Sequence, residues 1–296
     1  MSRVRTRSLV AYVVLANLLA WLVCVPVWLD TRGLTSPLFL VCATAMMFTP
    51  TIATVLVLRV SEKRTWRELA ATVGLGMGGT PGHLLIWLGL AALAVYIVTL
   101  GALVTSWLAG HYDADLGLSG LRQMLAAAPQ PLPPSVPVEL IAVLLVVGAL
   151  ANGVLNTIPA LGEEIGWRGF LFPELQARLG GGRALIVSGV IWGLWHAPLI
   201  LLGYNYPLHP VLGLFAFTVV CTLLTGVFAW VRQRSGSVWP AAYGHGLFNA
   251  LAGGTLIAFQ RAGSEVDTLH GTILGWSGWP IALVGVVVLV VLGAYA

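Results

Sequence analysis

Long apolar stretches recur along the chain, and segments that carry most of its charged residues separate them. A helix that crosses a bilayer needs about 20 mostly apolar residues. The sequence therefore predicts an all-α fold, a polytopic membrane bundle of about eight transmembrane helices. The predicted helices cover about 8–29, 37–59, 83–108, 138–161, 184–203, 208–231, 238–258 and 278–295.

The composition fits this pattern and excludes a soluble protein. The 296 residues are 58% hydrophobic and only 9% charged, with a mean hydropathy of +0.91, whereas about a quarter of the residues in a soluble domain are charged. The sequence shows no polar block that would form a soluble domain. We therefore interpret residues 1–296 as a single membrane domain.

The basic residues predict the orientation of the bundle. If the amino terminus lies in the cytoplasm, twelve of the 15 Lys and Arg residues fall on inside segments. This is the asymmetry expected of a multi-pass protein, and it predicts that both termini are cytoplasmic. The run from Leu9 to Leu29 is long enough to span, and no small-residue cleavage site follows it. We interpret it as a retained signal anchor.

Two connecting segments are expected to contain short helices. Residues 61–81 are basic and contain a tryptophan, which is typical of an interfacial helix. Residues 111–137 have apolar positions at helical spacing and then several prolines, so we expect a surface helix followed by an extended linker. The three cysteines have no CxxC spacing and predict no disulfide framework.

A small set of polar residues lies at or within the apolar stretches, where ionisable groups are costly and usually mark a site. Glu163, Glu164 and Arg168 are expected to close the fourth helix, so that water reaches the glutamates from the cytoplasmic side. The fifth and seventh predicted helices carry the remaining members, which are His196, His245 and Asn249.

The spacing of the charged residues separates the two glutamates. Glu164 and Arg168 are four residues apart with the acid first, the favourable order for an ion pair on one helical face. Glu163 is rotated about 100° from Glu164 around the helix. One glutamate can therefore be held by the arginine while the other points into a cavity.

The same four-residue spacing recurs on the other two helices. It places His245 and Asn249 on one face, and it puts the aromatic ring of Trp192 one turn before His196. A carboxylate in an apolar site is suited to act as a general base for water. Histidines can orient that water, stabilise an oxyanion or bind a metal, and an asparagine can donate to an oxyanion.

Together these groups indicate hydrolysis of an amide bond. The sequence has no G-x-S-x-G element and no HExxH helix, so a serine hydrolase of that type and an HExxH zinc protease are not indicated. Each residue also has a structural interpretation: an ion pair for Glu164 with Arg168, packing for His196, and helix–helix contacts for His245 with Asn249.

Three motifs resemble those of a known family. "EEIGWRGFL" resembles the EExxxR motif in its GEExGWRG form, "WGLWH" resembles FxxxH, and "HGLFN" resembles HxxxN. In order and separation they are similar to the CPBP family, the CAAX proteases and bacteriocin-processing enzymes (also called ABI), which is related to the type II CAAX prenyl endopeptidases. The motifs lie between about 160 and 250, and the family's eight-helix fold accounts for the remaining helices.

The resemblance implies an intramembrane endopeptidase with a catalytic core at about 138–258. Carried over onto this sequence, Glu163 would activate the attacking water and His196 would bind or orient it. His245 and Asn249 would form the oxyanion site. The implied partners are the bilayer and a peptide or membrane-protein substrate, with no nucleic acid, and the implied location is the bacterial cytoplasmic membrane.

The resemblance also assigns the supporting residues. Glu164 and Arg168 would be a supporting pair. Trp192 stands where the motif usually has phenylalanine, and we expect it to reshape a pocket wall without removing the chemistry.

No cofactor is certain from the sequence. The family has been described both as metalloproteases and as metal-independent glutamic proteases. Glu163, His196 and His245 could supply three ligands to Zn²⁺ and leave one position open. We favour the glutamic mechanism because neither histidine has an evident carboxylate partner behind it.

Two alternatives keep the fold but not the reaction. The chain could be a non-catalytic immunity or scaffold protein, or a transporter that uses Glu163 and the histidines as a proton relay. A transporter of that kind predicts inverted repeats or paired broken helices, and the sequence shows neither. Within the protease hypothesis the substrate stays open, and a prenylated substrate is required only for CAAX processing proper.

Overall fold

The computed structural model describes residues 3–129 and 135–295, except for the side chain of Leu256. No strand forms within these ranges, and an isolated antiparallel bridge joins Ala114 to Gln260. The predicted all-α class is therefore confirmed. Residues 130–134 of the expected extended linker lie outside the described residues.

The helices follow one another in the order that the apolar pattern predicts. Their bounds are α1 Thr6–Leu29, α2 Phe39–Met47, α3 Thr49–Leu56, α4 Trp66–Val73, α5 Pro81–Leu108, α6 Ser119–Ala126, α7 Val138–Gly166, α8 Phe172–Leu179, α9 Gly181–Trp195, α10 Ala197–Ile200, α11 Pro210–Ser235, α12 Trp239–Phe259 and α13 Trp279–Val291. The short helices α4 and α6 lie inside the two connecting segments expected to contain them.

Within residues 3–129 and 135–295, five helical stretches are long and apolar enough to cross a membrane. They are Thr6–Leu29, Phe39–Ser61, Pro81–Leu108, Val138–Leu179 and Pro210–Ser235. Two shorter apolar helices, Gly181–Trp195 and Trp276–Val291, lie where we expected longer ones. The structure is thus a polytopic bundle, while the count of eight and the cytoplasmic termini stay predictions.

The fourth predicted helix does not end at the glutamates, as we had expected. α7 passes through them, continues as a π-helical turn at Trp167–Leu171, and joins α8 in one helical stretch of 42 residues. The prediction was wrong because charged side chains that pair within a helix do not end it. Glu164 and Arg168 instead neutralise each other within the helix at 2.8 Å. Single π turns inside α-helices frequently occur at functional sites.

Glycines allow the helices that carry the site to pack closely. A Cβ atom added at Gly189 of α9 would lie 2.4 Å from Thr222 Cα of α11, and one added at Gly193 would lie 2.5 Å from Thr218 Cα. On α7, a Cβ atom added at Gly153 would lie 3.0 Å from Leu247 Cα of α12. Small residues at four-residue spacing are the usual means by which membrane helices approach backbone to backbone.

Two connecting segments, residues 201–209 and 260–278, are tied together at one end of the bundle. The bonds are Thr268 Oγ1 to the Asn205 carbonyl at 2.5 Å, the Tyr206 hydroxyl to the Leu274 carbonyl at 2.8 Å, and His209 Nε2 with Asp267 Oδ2 at 3.1 Å. Burial raises the pKa of Asp267, but the hydrogen bonds that its carboxylate accepts outweigh this effect and keep the pKa below its ordinary value.

We predict that Gly189→Ala destabilises the bundle. The added methyl group would lie 2.4 Å from Thr222 Cα of α11, closer than non-bonded atoms can approach, and overpacking of this kind costs about 1–3 kcal/mol. Gly89→Ala is the matched control, because a Cβ atom at Gly89 of α5 meets no atom within 4 Å. Thermal unfolding of the purified proteins in detergent should show a lower midpoint for Gly189→Ala alone. Equal midpoints for the two variants would contradict the close α9–α11 contact.

Candidate active site

A cavity of about 560 Å³ opens between α2, α7, α9 and α12. Its wall also includes residues of the two joined segments, 201–209 and 260–278. The cavity brings together the four residues to which the resemblance gives catalytic roles, Glu163, His196, His245 and Asn249. Three separate helices thus contribute to one concave site.

Glu163 lies in the cavity wall with only 2% of its surface exposed. Its Oε2 atom accepts a hydrogen bond from Trp192 Nε1 at 2.8 Å and a longer one from Trp167 Nε1 at 3.3 Å. The two indole donors occupy the same oxygen. The other oxygen, Oε1, is therefore the one left for a molecule in the cavity.

Glu164 is fully buried and contacts one arginine and one histidine side chain. Its Oε1 atom accepts from Arg168 Nη1 at 2.8 Å and contacts His245 Nδ1 at 2.9 Å. Because an ionised carboxylate only accepts hydrogen bonds, Nδ1 of His245 is the donor and carries the proton. The expectation that neither histidine has a carboxylate partner is wrong for His245, since its partner lies 81 residues away in sequence.

Arg168 is fully buried between aromatic rings. Its Cζ atom lies 3.9 Å from the ring centroid of Trp192 and 5.2 Å from that of Phe228. Its Nη2 atom lies 3.4 Å from Thr225 Oγ1. The ion pair with Glu164 and the cation–π contacts compensate part of the hydration that the guanidinium loses on burial, while its Nε atom has no hydrogen-bond partner among the described residues.

His196 lies at the end of α9 with its Nδ1 atom 2.9 Å from the Trp192 carbonyl. Because a carbonyl only accepts, Nδ1 carries the proton here too, and the lone pair of a neutral ring is on Nε2. The rings of Trp195 and Phe217 stand edge-on to the imidazole, each at 4.7 Å between centroids. Asn249, by contrast, is exposed and lies one turn beyond His245 on α12.

Several residues around the site were not singled out from the sequence. All lie on α11: Thr225 contacts Arg168, Phe228 stacks on His245 at 5.6 Å, and Cys221 Sγ lies 4.0 Å from His196 Nδ1. Thr225 offered a signal, because a hydroxyl inside an apolar helix usually has a partner on its own backbone or on a neighbouring helix. Phe228 offered none, since one aromatic residue in an apolar helix resembles any other.

The structure shows how the three metal ligands suggested by the sequence, Glu163, His196 and His245, are arranged. Among residues 3–129 and 135–295, no three His, Cys, Asp or Glu side chains are grouped so that they could hold a metal ion. Glu163, His196 and His245 as arranged are not such a group, so no step below passes through a metal. A Zn²⁺ ion at this site stays the alternative to the favoured glutamic mechanism, and experiment decides between the two.

The fold and the site define the class of protein. Several long apolar helices enclose a buried group of charged and polar side chains, which makes the chain an integral, multi-pass, all-α membrane protein. Residues 138–251, which include all of these polar residues, match the family model described as Type II CAAX prenyl endopeptidase Rce1-like.

A curated relative supports the same family. The chain is 48% identical over 44 residues to "CAAX prenyl protease 2" of Methanococcus maripaludis. The match covers 15% of this chain and 16% of that protein. Together the two comparisons support the resemblance to the CPBP/Rce1-like family that the three motifs show.

We predict that Arg168→Gln strongly destabilises the fold. Removing one partner leaves the Glu164 charge buried with less compensation, which typically costs about 3–5 kcal/mol. The double variant Glu164→Gln/Arg168→Gln should lose less than the sum of the two single variants, because it removes both charges. Unfolding in detergent of all three proteins measures this coupling.

Arg122→Gln is the control for this cycle. Arg122 pairs with Glu139 at 2.7 Å, but both side chains are more than half exposed, and exposed ion pairs contribute little. Its unfolding should match that of wild type. Strict additivity in the Glu164/Arg168 cycle would show that the buried pair is not a coupled unit.

Proposed function

We propose that this protein is an intramembrane endopeptidase that hydrolyses a peptide bond in a membrane-associated peptide or protein. The observation that carries the proposal is the single cavity onto which Glu163, His196, His245 and Asn249 converge from three helices. The family match adds support, because the matching model is that of an endopeptidase.

In the proposed mechanism, Glu163 Oε1 takes a proton from a water molecule in the cavity, and the water attacks the carbonyl carbon of the substrate. His196 orients this water, because its Nδ1 proton is held by the Trp192 carbonyl and its Nε2 lone pair is free to accept from the water. When the tetrahedral intermediate collapses, the protonated Glu163 returns the proton to the leaving amine.

The oxyanion role imposes a condition on His245. With its Nδ1 proton directed at Glu164, a neutral ring has only a lone pair on Nε2 and cannot donate to an oxyanion. The proposed role therefore requires the imidazolium form, with Glu164 as its counter-ion. The two carboxylates are then balanced by Arg168 and His245. The Asn249 amide donates to the oxyanion without any change of charge.

The names of the matching family model and of the curated relative suggest a first substrate class to test. Both contain the words CAAX and prenyl, which describe a C-terminal peptide with a lipidated cysteine. Apolar side chains of α2, among them Leu40 and Met47, line the cavity and suit such a ligand. We propose a prenylated C-terminal peptide as the first probe and the bacterial cytoplasmic membrane as the place of action.

We predict that Glu163→Gln abolishes cleavage while the protein still accumulates in the membrane. An amide cannot take a proton from water, so activity should fall by at least about 10²-fold, the lower end of what general-base catalysis contributes. Wild type and Glu163→Gln are expressed at matched levels, and peptide termini in the membrane and secreted fractions are compared by mass spectrometry. Glu139→Gln, at the exposed start of α7, is the control.

Termini that appear with wild type and Glu139→Gln but not with Glu163→Gln establish proteolysis and reveal the substrate. Identical terminal profiles in all three strains would overturn the proposed function in favour of an immunity or scaffold protein. Farnesylated and unmodified versions of one CAAX peptide then decide whether the lipid is required. Incubation of the active protein with a metal chelator decides whether Zn²⁺ takes part.

A further inference from the structure

Trp192 does not itself line the cavity, but it contacts four residues of the site. It is 2% exposed, its indole Nε1 donates to Glu163 Oε2 at 2.8 Å, and its ring lies 3.9 Å below the Arg168 guanidinium carbon. Its edge faces the His245 ring at 5.4 Å between centroids. Its backbone carbonyl accepts the Nδ1 proton of His196 at 2.9 Å.

We propose that Trp192 is a positioning residue for the general base. Its indole N–H, assisted by the longer bond from Trp167, holds Oε2 of Glu163 against the wall of the cavity and leaves Oε1 as the oxygen that takes the proton from water. This inference rests on the proposed function, because it assigns a role around Glu163 as the base. It also assigns a role to the indole nitrogen that a phenylalanine at this position could not fill.

The physical argument concerns the orientation of a buried carboxylate. Without a fixed donor, rotation about the last bond of the side chain would turn the carboxylate plane and move the proton-accepting oxygen relative to the water. A charge-assisted hydrogen bond is shorter and stronger than a neutral one and selects one orientation. Groups that carry out catalysis must be held within about 0.5 Å of the productive geometry by the residues around them.

The two contacts of Trp192 with the catalytic groups can be separated by substitution. The contact with Glu163 uses the side-chain nitrogen, whereas the contact with His196 uses the main-chain carbonyl. Trp192→Phe removes the first and leaves the second, and its ring can still stack on Arg168. A change in this variant therefore reports on the indole N–H.

Trp239→Phe is the matched control. Trp239 lies at the start of α12, and its Nε1 atom donates to the Leu75 carbonyl at 2.9 Å. This substitution also removes one indole hydrogen bond of similar length from the bundle. Trp239 contacts none of the proposed catalytic groups, so Trp239→Phe measures the effect of losing an indole hydrogen bond elsewhere in the bundle.

The first measurement is spectroscopic and does not depend on a substrate. The full-length protein is labelled with ¹⁵N at the indole nitrogens of its 12 tryptophans, and Trp192→Phe identifies the Trp192 signal by its loss. We expect Glu163→Ala to shift this indole proton upfield and to accelerate its exchange with solvent, whereas Glu139→Ala leaves it unchanged. An unshifted signal in Glu163→Ala would overturn the proposed contact.

The second measurement is kinetic and uses a fluorogenic peptide that spans the cleavage site identified with wild type. We expect Trp192→Phe to lower kcat by about 10- to 100-fold, as for the loss of a hydrogen bond to a charged group. KM should change by less than about twofold, because the proposed role of Trp192 is to orient the base and not to bind the peptide. Trp239→Phe should retain the wild-type values.

The outcomes separate the two proposals. If wild type cleaves no faster than Glu163→Gln, the proposed function is overturned, and the role of Trp192 in it falls too. If cleavage depends on Glu163 but Trp192→Phe keeps the wild-type kcat, the role of Trp192 alone is overturned. An equal loss of activity in Trp192→Phe and Trp239→Phe would mean that both act only through the stability of the bundle.

Discussion

The structure depends on the burial of the Glu164–Arg168 pair in a bundle that is otherwise almost uncharged. Two unpaired charges at this depth would each cost several kcal/mol, so the surrounding helices must supply partners. The pair allows α7 to continue through the glutamates and into α8. Its remaining contacts attach two further helices: α11 through Thr225 and α12 through His245. One electrostatic requirement thus fixes the positions of α11 and α12 relative to α7.

The two adjacent glutamates have different surroundings because the helix turns between them. Glu164 points towards Arg168 and His245, and its Oε1 atom contacts both side chains. Glu163 lies about 100° from Glu164 around the helix axis. Its Oε2 atom accepts hydrogen bonds from neutral indole groups, and the residue also lines the cavity. A carboxylate neutralised by arginine is a poor base, whereas one with a free oxygen in a largely apolar site is a good one. The difference between the two carboxylates follows from the rotation of the helix by one residue.

The sequence allowed the parts that depend on local spacing to be predicted. The order of apolar helices, the Glu164–Arg168 pair and the position of Trp192 one turn before His196 all follow from residues four apart or from runs of about 20 residues. Contacts between distant segments could not be predicted in this way. The bond between His245 and Glu164 and the bond from Trp192 to Glu163 depend on how α7, α9 and α12 pack. The prediction that the helix ends at the glutamates was wrong for a related reason. The groups that compensate the charges of Glu164 and Arg168 lie partly on other helices.

The surroundings of Glu163 also bear on the choice between hydrolysis and proton transport. A relay residue must exchange its proton with groups on both sides of the membrane, so its carboxylate needs ionisable or water-filled neighbours in two directions. Behind Glu163 stand the indole rings of Trp167 and Trp192, which donate a hydrogen bond but accept no proton. The remaining oxygen faces a cavity that also contains His196 and Asn249. With Oε2 held by the indole groups and Oε1 directed into the cavity, this carboxylate is suited to take one proton from a bound water. It can then return that proton to a leaving group in the same cavity. This geometry favours a hydrolytic site over a conduction path.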